Sequence, residues 1–176
     1  MSASRPWADD IHGLFQAHRI TLVSVVPDAG HQRLIELCQA DPGIRTVTLT
    51  TEEEGVALAA GAWLGGTRSA LLIQSSGVGN CINMLSLPNV CQMPFITLVT
   101  MRGEWGEFNP WQVPMGGSTP AVLEASGVTV FRADRADEVG PTVEGALGLA
   151  WQSRRRVAVL LSQRLIGAKR FGEDAR

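Results

Sequence analysis

Six strand-length apolar runs alternate with helical patterns along the chain, and this alternation restricts the fold more than any other feature. Most runs are apolar throughout, which is typical of strands in a parallel sheet covered on both faces. The runs are Thr21–Val26, Thr46–Thr50, Ser69–Ser75, Phe95–Thr100, Val128–Arg132 and Val157–Ser162. Helical patterns occupy 7–18, 30–40, 52–64, 79–87, 118–126 and 136–152. The sequence therefore predicts an α/β fold: a doubly wound, mostly parallel six-stranded sheet with helices on both faces.

Length and charge limit the domain count and the class of partner. The 176 residues, 45% of them hydrophobic, fit a single domain (1–176) with a substantial core. The net charge of −2 argues against nucleic acid as the main partner. No apolar run approaches the roughly 20 residues of a membrane-spanning helix. The short basic run Arg154–Arg156 is interpreted as solvated charge at a helix end.

Cysteine and histidine usage bears on compartment and metal binding. The three cysteines are odd in number and include no C-x-x-C pair, and Met1–Asp10 is too polar for a secretory leader. A reducing cytoplasm is the predicted location. Histidines and cysteines do not occur together at zinc-ligand spacing, so no metal site is predicted within this chain.

Four unusual segments directly follow predicted strands. They are PDAGH (27–31), TEEE (51–54), QSSGVGN (74–80) and Met101–Ser118. In open α/β sheets, ligands bind outside the carboxyl ends of the strands, so these segments are expected to border the site. The last has too many Gly and Pro residues for a helix and is predicted to be a long loop, and its aromatic residues favour a functional role.

Three consecutive carboxylates, Glu52, Glu53 and Glu54, precede an almost wholly apolar helix. Acidic residues stabilise the positive end of the helix dipole, and Thr51 could act as the N-cap of a capping box completed by Glu54. This local explanation accounts for one or two of the glutamates but not for all three.

Other polar residues at this edge permit more than one interpretation. SSGVGN contains a Gly-x-Gly, but the third glycine of a dinucleotide-binding fingerprint is replaced by Ile82. His31 could transfer a proton at the crevice or form a local hydrogen bond. Arg102 could bind a carboxylate or sulfonate, or pair with Glu104 or Glu107. The residues alone do not identify a substrate.

Taken together, these segments resemble the thiamine-diphosphate-dependent 2-oxo acid decarboxylases. The similarity is to the α subunits of sulfopyruvate decarboxylases and to the amino-terminal third of phosphonopyruvate decarboxylases. It extends from about Val23 to Gly167 and rests on VVPDAGHQRLIEL, TEEEGVALAAGAWLGG, LLIQSSGVGNCINMLSLP, RGEWGEFNPWQVPMG and VAVLLSQRLIG. The resemblance implies a pyrimidine-binding domain in an enzyme that converts sulfopyruvate, or a similar anionic 2-oxo acid, into an aldehyde and CO2. A carboligase subunit with the same cofactor and a non-catalytic α/β binding module are the alternatives.

The resemblance also assigns roles to individual residues. In this family, a glutamate nine residues before a helix glycine hydrogen-bonds N1′ of the cofactor's aminopyrimidine, and counting back from Gly61 gives Glu52. His31 is the second expected catalytic residue, because Ala29 replaces a polar residue found in many relatives. The other expected contacts are Pro27, Ser75, Ser76, Gly77, Gly79 and Asn80 for the cofactor, and Arg102 and Gln112 for the substrate.

The resemblance further implies a partner. Complete enzymes of this family carry a second α/β domain, whose G-D-G…N-N motif binds Mg²⁺ and the diphosphate, and this sequence contains no Gly-Asp-Gly. A separate diphosphate-binding (β) subunit is therefore expected to hold the Mg²⁺. Self-association of this chain is also expected, giving a hetero-oligomer.

Overall fold

A computed structural model describes residues 7–167, so the two ends included in the single-domain prediction, 1–6 and 168–176, lie outside the described residues. All six predicted strands are present: β1 Ile20–Val25, β2 Arg45–Thr48, β3 Arg68–Gln74, β4 Phe95–Thr100, β5 Thr129–Ala133 and β6 Arg156–Leu161. The helices are α1 Trp7–Ala17, α2 Gln32–Ala40, α3 Glu52–Leu64, α4 Ser75–Cys81, α5 Ser86–Val90, α6 Gln112–Ala125, α7 Ala136–Gln152 and α8 Gln163–Ile166. A short 3₁₀ turn, Ala29–His31, precedes α2.

The strands form one sheet in the order β2-β1-β3-β4-β6-β5, and every neighbouring pair is parallel. The predicted fold class is therefore confirmed. After β2 the chain crosses to the other side of β1, so the strand order reverses between β1 and β3. The segments that follow these two strands diverge there, and a crevice of this kind is where doubly wound sheets bind ligands.

Helices cover both faces of the sheet because alternate strand residues point to opposite sides. In β3, Ala70 and Leu72 pack into the core beneath α1, α2 and α7. Leu71 and Ile73 pack into the second core, beneath α3, α4 and α6. Within residues 7–167, none of the helices is long and apolar enough to cross a membrane.

The predicted helix 79–87 is wrong. The structure has two shorter helices there, α4 and α5, and the predicted glycine-containing turn 74–80 belongs largely to α4. Gly77 and Gly79 lie inside this helix despite their low helix propensity. Pro88 occupies the third position of α5, where its missing N–H leaves no helical hydrogen bond unmade.

The predicted loop Met101–Ser118 is too long. Helix α6 already begins at Gln112, six residues before the predicted start, so the loop is 101–111. Pro114 lies in the first turn of α6, where a proline is tolerated because the first N–H groups have no helical acceptor. Gly116 is buried so close to the Arg102 carbonyl oxygen that a Cβ atom would overlap it. Pro and Gly residues predict a loop in the sequence, but in α6 the proline lies in the first turn and the glycine allows a close backbone contact.

The predicted capping box between Thr51 and Glu54 at the start of α3 is not formed, because both side chains have other hydrogen-bond partners. Thr51 is the N-cap residue, but its side chain accepts no hydrogen bond from the helix. Its hydroxyl donates instead to the Glu53 carboxylate, which lowers the pKa of Glu53. The Glu54 carboxylate accepts the Thr50 N–H (2.8 Å) rather than that of Thr51. Glu53 and Glu54 are thus occupied by local contacts, whereas Glu52 is not.

Candidate active site

Glu52, Gly77 and Asn80 form a first group, which we call the glutamate cluster. Glu52 is the first residue of α3 and is only 8% exposed. The side-chain amide of Asn80 donates to Glu52 Oε2 (2.7 Å). Gly77 lies against the other oxygen, Oε1, so closely that a Cβ atom would overlap the carboxylate. A glycine backbone therefore gives the carboxylate room at the start of α4.

Asp28, His31 and Thr100 form a second group, the aspartate cluster, between the ends of β1 and β4. Asp28 Oδ2 accepts hydrogen bonds from the Gly30 N–H (3.0 Å) and from the Thr100 hydroxyl (2.6 Å). His31 Nδ1 lies 4.0 Å from the same oxygen. A cavity of about 110 Å³ adjoins the cluster and is lined by Asp28, Ala29, Gly30, Thr100, Arg102, Ile166 and Gly167.

His31 is fully buried, and neither ring nitrogen has a hydrogen-bond partner within the described part of the chain. Burial lowers its pKa to about 4, although the nearby Asp28 charge acts in the opposite direction. The imidazole is therefore neutral near pH 7. It is not among the residues that line the 110 Å³ cavity, although its sequence neighbours Asp28, Ala29 and Gly30 are.

Arg102 pairs with Glu107, which was one of the two alternatives left by the sequence. Arg102 Nε and Nη2 each donate to the Glu107 carboxylate (2.7 Å). Glu107 also accepts from the backbone N–H groups of Gly103 and Asn109 and from the Gln163 side chain. The bonds from Arg102 are the main reason that the pKa of Glu107 falls to about 2. Glu107 therefore anchors the 101–111 loop.

Ser75 links the start of α4 to the start of the 101–111 loop. It is fully buried at the start of α4, and its hydroxyl accepts the Arg102 N–H (3.0 Å). Among the other predicted cofactor contacts, Ser76 is half-buried, and Gly79 lies beside the Met115 sulfur. Pro27 is exposed on a neighbouring surface next to α2, which shares Asp28 and Ala29 with the 110 Å³ cavity. The structure thus joins Glu52, Gly77 and Asn80 directly, and Ser75 with Arg102.

Two buried amide oxygens at this edge have no hydrogen-bond partner within residues 7–167: Gln74 Oε1 and Gln112 Oε1. Gln112 was predicted to contact substrate, and Gln74 was not singled out. Gln74, the last residue of β3, lies in register with Thr100 of the neighbouring strand β4. Its side chain therefore points to the same face of the sheet as that of Thr100. Unpartnered buried polar atoms are rare in folded proteins, and they fit a surface that receives a polar ligand.

Sequence reasoning missed Asp28 and Gln163 as organisers of the site, and it named Glu107 only as a possible partner of Arg102. Asp28 had a readable signal, since an Asp followed by small residues at a strand end favours a turn of this kind. Gln163 had none, because its contacts join distant parts of the chain: its Oε1 accepts the N–H groups of Glu104 and Trp105 (3.0 Å each).

The electrostatics of the glutamate cluster also affect Cys81. Burial, followed by the charges of Glu52 and Glu53, raises the pKa of this thiol to about 12, so it remains protonated. Within the described residues, no group of three His, Cys, Asp or Glu side chains is placed to hold a metal ion. The site therefore offers proton-transfer and hydrogen-bonding groups.

Comparison with known proteins gives relatives over most of the chain. The sulfopyruvate decarboxylase subunit alpha of Methanococcus maripaludis is 34% identical over 143 residues, covering 81% of this chain and 86% of the relative. That of Methanothermobacter thermautotrophicus is 38% identical over 138 residues, covering 77% and 83%. The phosphonopyruvate decarboxylase of Streptomyces viridochromogenes is 42% identical over 107 residues, which are 60% of this chain but 27% of that longer enzyme.

A solved structure shares the fold. The 2-oxoglutarate:ferredoxin oxidoreductase from Magnetococcus marinus superimposes with a TM-score of 0.72 over 92% of this chain and 29% of that one, at 16% identity. No protein-family model matches the sequence. The two sulfopyruvate decarboxylase alpha subunits are similar over more than four fifths of their own length and confirm the resemblance read from the sequence. The chain belongs to the family of sulfopyruvate decarboxylase alpha subunits.

Proposed function

We propose that this chain is the pyrimidine-binding α subunit of a thiamine-diphosphate-dependent 2-oxo acid decarboxylase that acts on sulfopyruvate or a similar anionic 2-oxo acid. The observation that carries the proposal is Glu52. Its carboxylate lies nearly buried at a helix start, is oriented by Asn80, and has one oxygen against a glycine backbone. A carboxyl group held in this way can share a proton with a ring nitrogen of a bound ligand.

The residues at the glutamate cluster fit the aminopyrimidine end of thiamine diphosphate. Glu52 would hold a proton against N1′, and Asn80 would fix the carboxylate orientation through Oε2. Gly77 would let a flat ring approach the backbone. When bound, the cofactor supplies the electron sink needed as CO2 leaves.

We assign the substrate to the cavity beside the aspartate cluster. Its volume of about 110 Å³ corresponds to about three or four water molecules, which suits a compact acid. Arg102 uses Nε and Nη2 for its hydrogen bonds to Glu107. Its third guanidinium nitrogen, Nη1, does not take part in these bonds and would donate to an anionic group of the substrate. We also assign to His31 a proton transfer or a hydrogen bond with a bound ligand, because it is neutral and its ring nitrogens have no hydrogen-bond partner within the described residues.

We assign binding of Mg²⁺ and the diphosphate to a separate β subunit. The part of the phosphonopyruvate decarboxylase that does not align with this chain is more than twice as long as the part that does. A second domain could therefore be present in that single polypeptide. Exposed apolar side chains just after α4 and in α6, namely Ile82 and Val113, support an interface on this side of the molecule. We place self-association and β-subunit contact at this surface.

Calorimetric titration of thiamine diphosphate tests the proposal. The isolated chain should bind weakly or not at all in the presence of Mg²⁺. A chain co-purified with its β subunit should bind and should release CO2 and an aldehyde from sulfopyruvate. Tight Mg²⁺-dependent binding and decarboxylation by the isolated chain would refute the division of the site between two chains. Absence of cofactor binding in the assembled complex would refute the function itself.

A further inference from the structure

Three consecutive arginines, Arg154, Arg155 and Arg156, lie at the amino edge of the sheet, opposite the candidate active site. They connect the end of α7 to the start of β6. With Asn89, Gln92 and Ser153 they line a cavity of about 440 Å³, which we call the arginine cup. None of the six lining residues is acidic. This volume is within the range of small-molecule sites.

No carboxylate among the described residues pairs with the arginines of the cup. Elsewhere, Arg33, Arg102, Arg132 and Arg135 each form a salt bridge with a carboxylate. Within residues 7–167, none of the three cup arginines forms a salt bridge. Adjacent like charges repel one another, so this arrangement is electrostatically unfavourable until an anion enters.

Arg156 does not fit the interpretation of solvated charge at a helix end. Its side chain is half-buried, and Nε is buried without a hydrogen-bond partner in the described part of the chain. Nη2 donates to Asn89 Oδ1 (2.7 Å), which fixes the guanidinium. Burial and the neighbouring Arg155 charge lower the pKa of Arg156. Buried N–H groups are ordinarily hydrogen-bonded, so a bound ligand could supply the acceptor that Arg156 Nε lacks.

The backbone around the cup is also unusual. Arg154 and Gln92 adopt left-handed conformations, with φ of 50° and 51°, which non-glycine residues rarely do. The Arg154 guanidinium lies 5.8 Å from the centre of the Trp63 ring, a cation–π contact that restrains it. Arg154 and Gln92 follow the C-caps of helices α7 and α5, where a left-handed residue commonly ends the helix. The contacts of Arg154 with Trp63 and of Arg156 with Asn89 hold these two arginines in place before any ligand binds.

We infer that the arginine cup binds a small molecule bearing a tetrahedral oxyanion, a phosphate or sulfonate group. Guanidinium groups match such anions through paired N–H donors. Gln92 and Ser153 add neutral donors at the rim. The chain carries a net charge of −2, so a long nucleic acid would find no extended basic surface beyond the cup.

The test is calorimetric titration of the full chain at constant ionic strength. The probes are inorganic phosphate, glycerol 3-phosphate and methanesulfonate, with chloride as the background salt. We expect saturable binding of at least one probe. Stronger binding of glycerol 3-phosphate than of inorganic phosphate would identify an organic ligand, and the reverse order would identify the free anion.

Variants locate the site. Arg155→Gln removes an exposed cup charge and should weaken binding about ten-fold or more, the usual effect of losing a charged hydrogen bond. Arg45→Gln removes an exposed arginine from the same edge of the sheet, at the start of β2 and outside the cup, and should leave the affinity unchanged. Equal weakening by both variants, no saturable binding, or binding of a polyglutamate peptide without binding of the small anions would overturn the inference.

Discussion

Glu52 and Glu107 are both nearly buried carboxylates at the carboxyl edge of the sheet, but their surroundings differ sharply. Glu107 accepts five hydrogen bonds, from Arg102, Gly103, Asn109 and Gln163. Glu52 accepts a side-chain hydrogen bond from Asn80, and its other oxygen faces the Gly77 backbone. One carboxylate is saturated by its own protein, and the other retains hydrogen-bonding capacity.

The comparison shows how to distinguish a structural from a functional acid in this fold. A carboxylate whose acceptors are all used stabilises the loop that surrounds it, and its loss should appear as a loss of folding stability. A carboxylate with spare capacity is available to a ligand, and its loss should appear in activity.

Glu52→Gln should have the largest effect. We expect turnover by the assembled enzyme to fall about 10²–10⁴-fold, because glutamine keeps the shape of the side chain but cannot share a proton. The melting temperature should change little. Glu54→Gln is the matched control: Glu54 is exposed at the same helix start and should tolerate the change. Near-normal turnover of Glu52→Gln would remove the distinction between the two carboxylates.

The pH dependence of stability should reveal His31. Its pKa is about 4 in the folded protein against 6.5 ordinarily, so between these values the unfolded chain binds the proton and the folded one does not. Stability should therefore fall as the pH decreases from 6.5 to 4, by about 3 kcal/mol in total. Urea unfolding across this range measures the effect. His31→Gln should flatten the slope, and an unchanged slope in this variant would contradict the account.

Glu107→Gln should destabilise the fold by about 2 kcal/mol, because it leaves Arg102 without its charged partner. The pKa of about 2 means that the contribution of Glu107 is present above pH 4.5 and is lost as the pH falls through 2. Chemical denaturation at pH 7 measures the loss. Glu36→Gln, at an exposed contact with Gln32, serves as the control and should change stability by less than about 0.5 kcal/mol. Equal effects would show that Glu107 does not anchor its loop.

Gly77→Ala should have the smallest effect and tests the geometry most finely. The new Cβ would overlap the Glu52 carboxylate, which must move aside. We expect turnover to fall about ten-fold while the protein stays folded, since a small misplacement of a reacting group is costly. Gly61→Ala adds the same atom in α3 where no other atom lies within 4 Å, and it should be active and slightly more stable. Loss of activity in both variants would point to a general helix effect.

The strands were predictable because their signals are local: continuous apolar runs mark buried parallel strands wherever they occur. The local signals did not distinguish Glu52 from Glu53 and Glu54, and Glu52 was selected only through the family resemblance. The start of α6 was not predictable from the same kind of signal. Pro114 and Gly116 read as helix breakers, and only the packing of Gly116 against the Arg102 carbonyl explains why the helix extends through them.

The partners of the site residues were predictable only in part. The sequence offered Glu104 and Glu107 equally to Arg102, and only the three-dimensional structure selects Glu107. Glu104 pairs instead with Arg132, 28 positions away. The burial of His31 was also hidden, because a polar residue in a strand-end segment is ordinarily exposed.

The saturated bonds of Glu107 have a thermodynamic consequence for assembly. Because the 101–111 loop is tied to Gln163 and to the start of α6, its conformational entropy is lost during folding rather than on association. Its exposed aromatic side chains, Trp105, Phe108 and Trp111, are thus presented on an ordered backbone. A partner docking on this rim would meet a pre-organised surface, and the entropic penalty of binding would be correspondingly small.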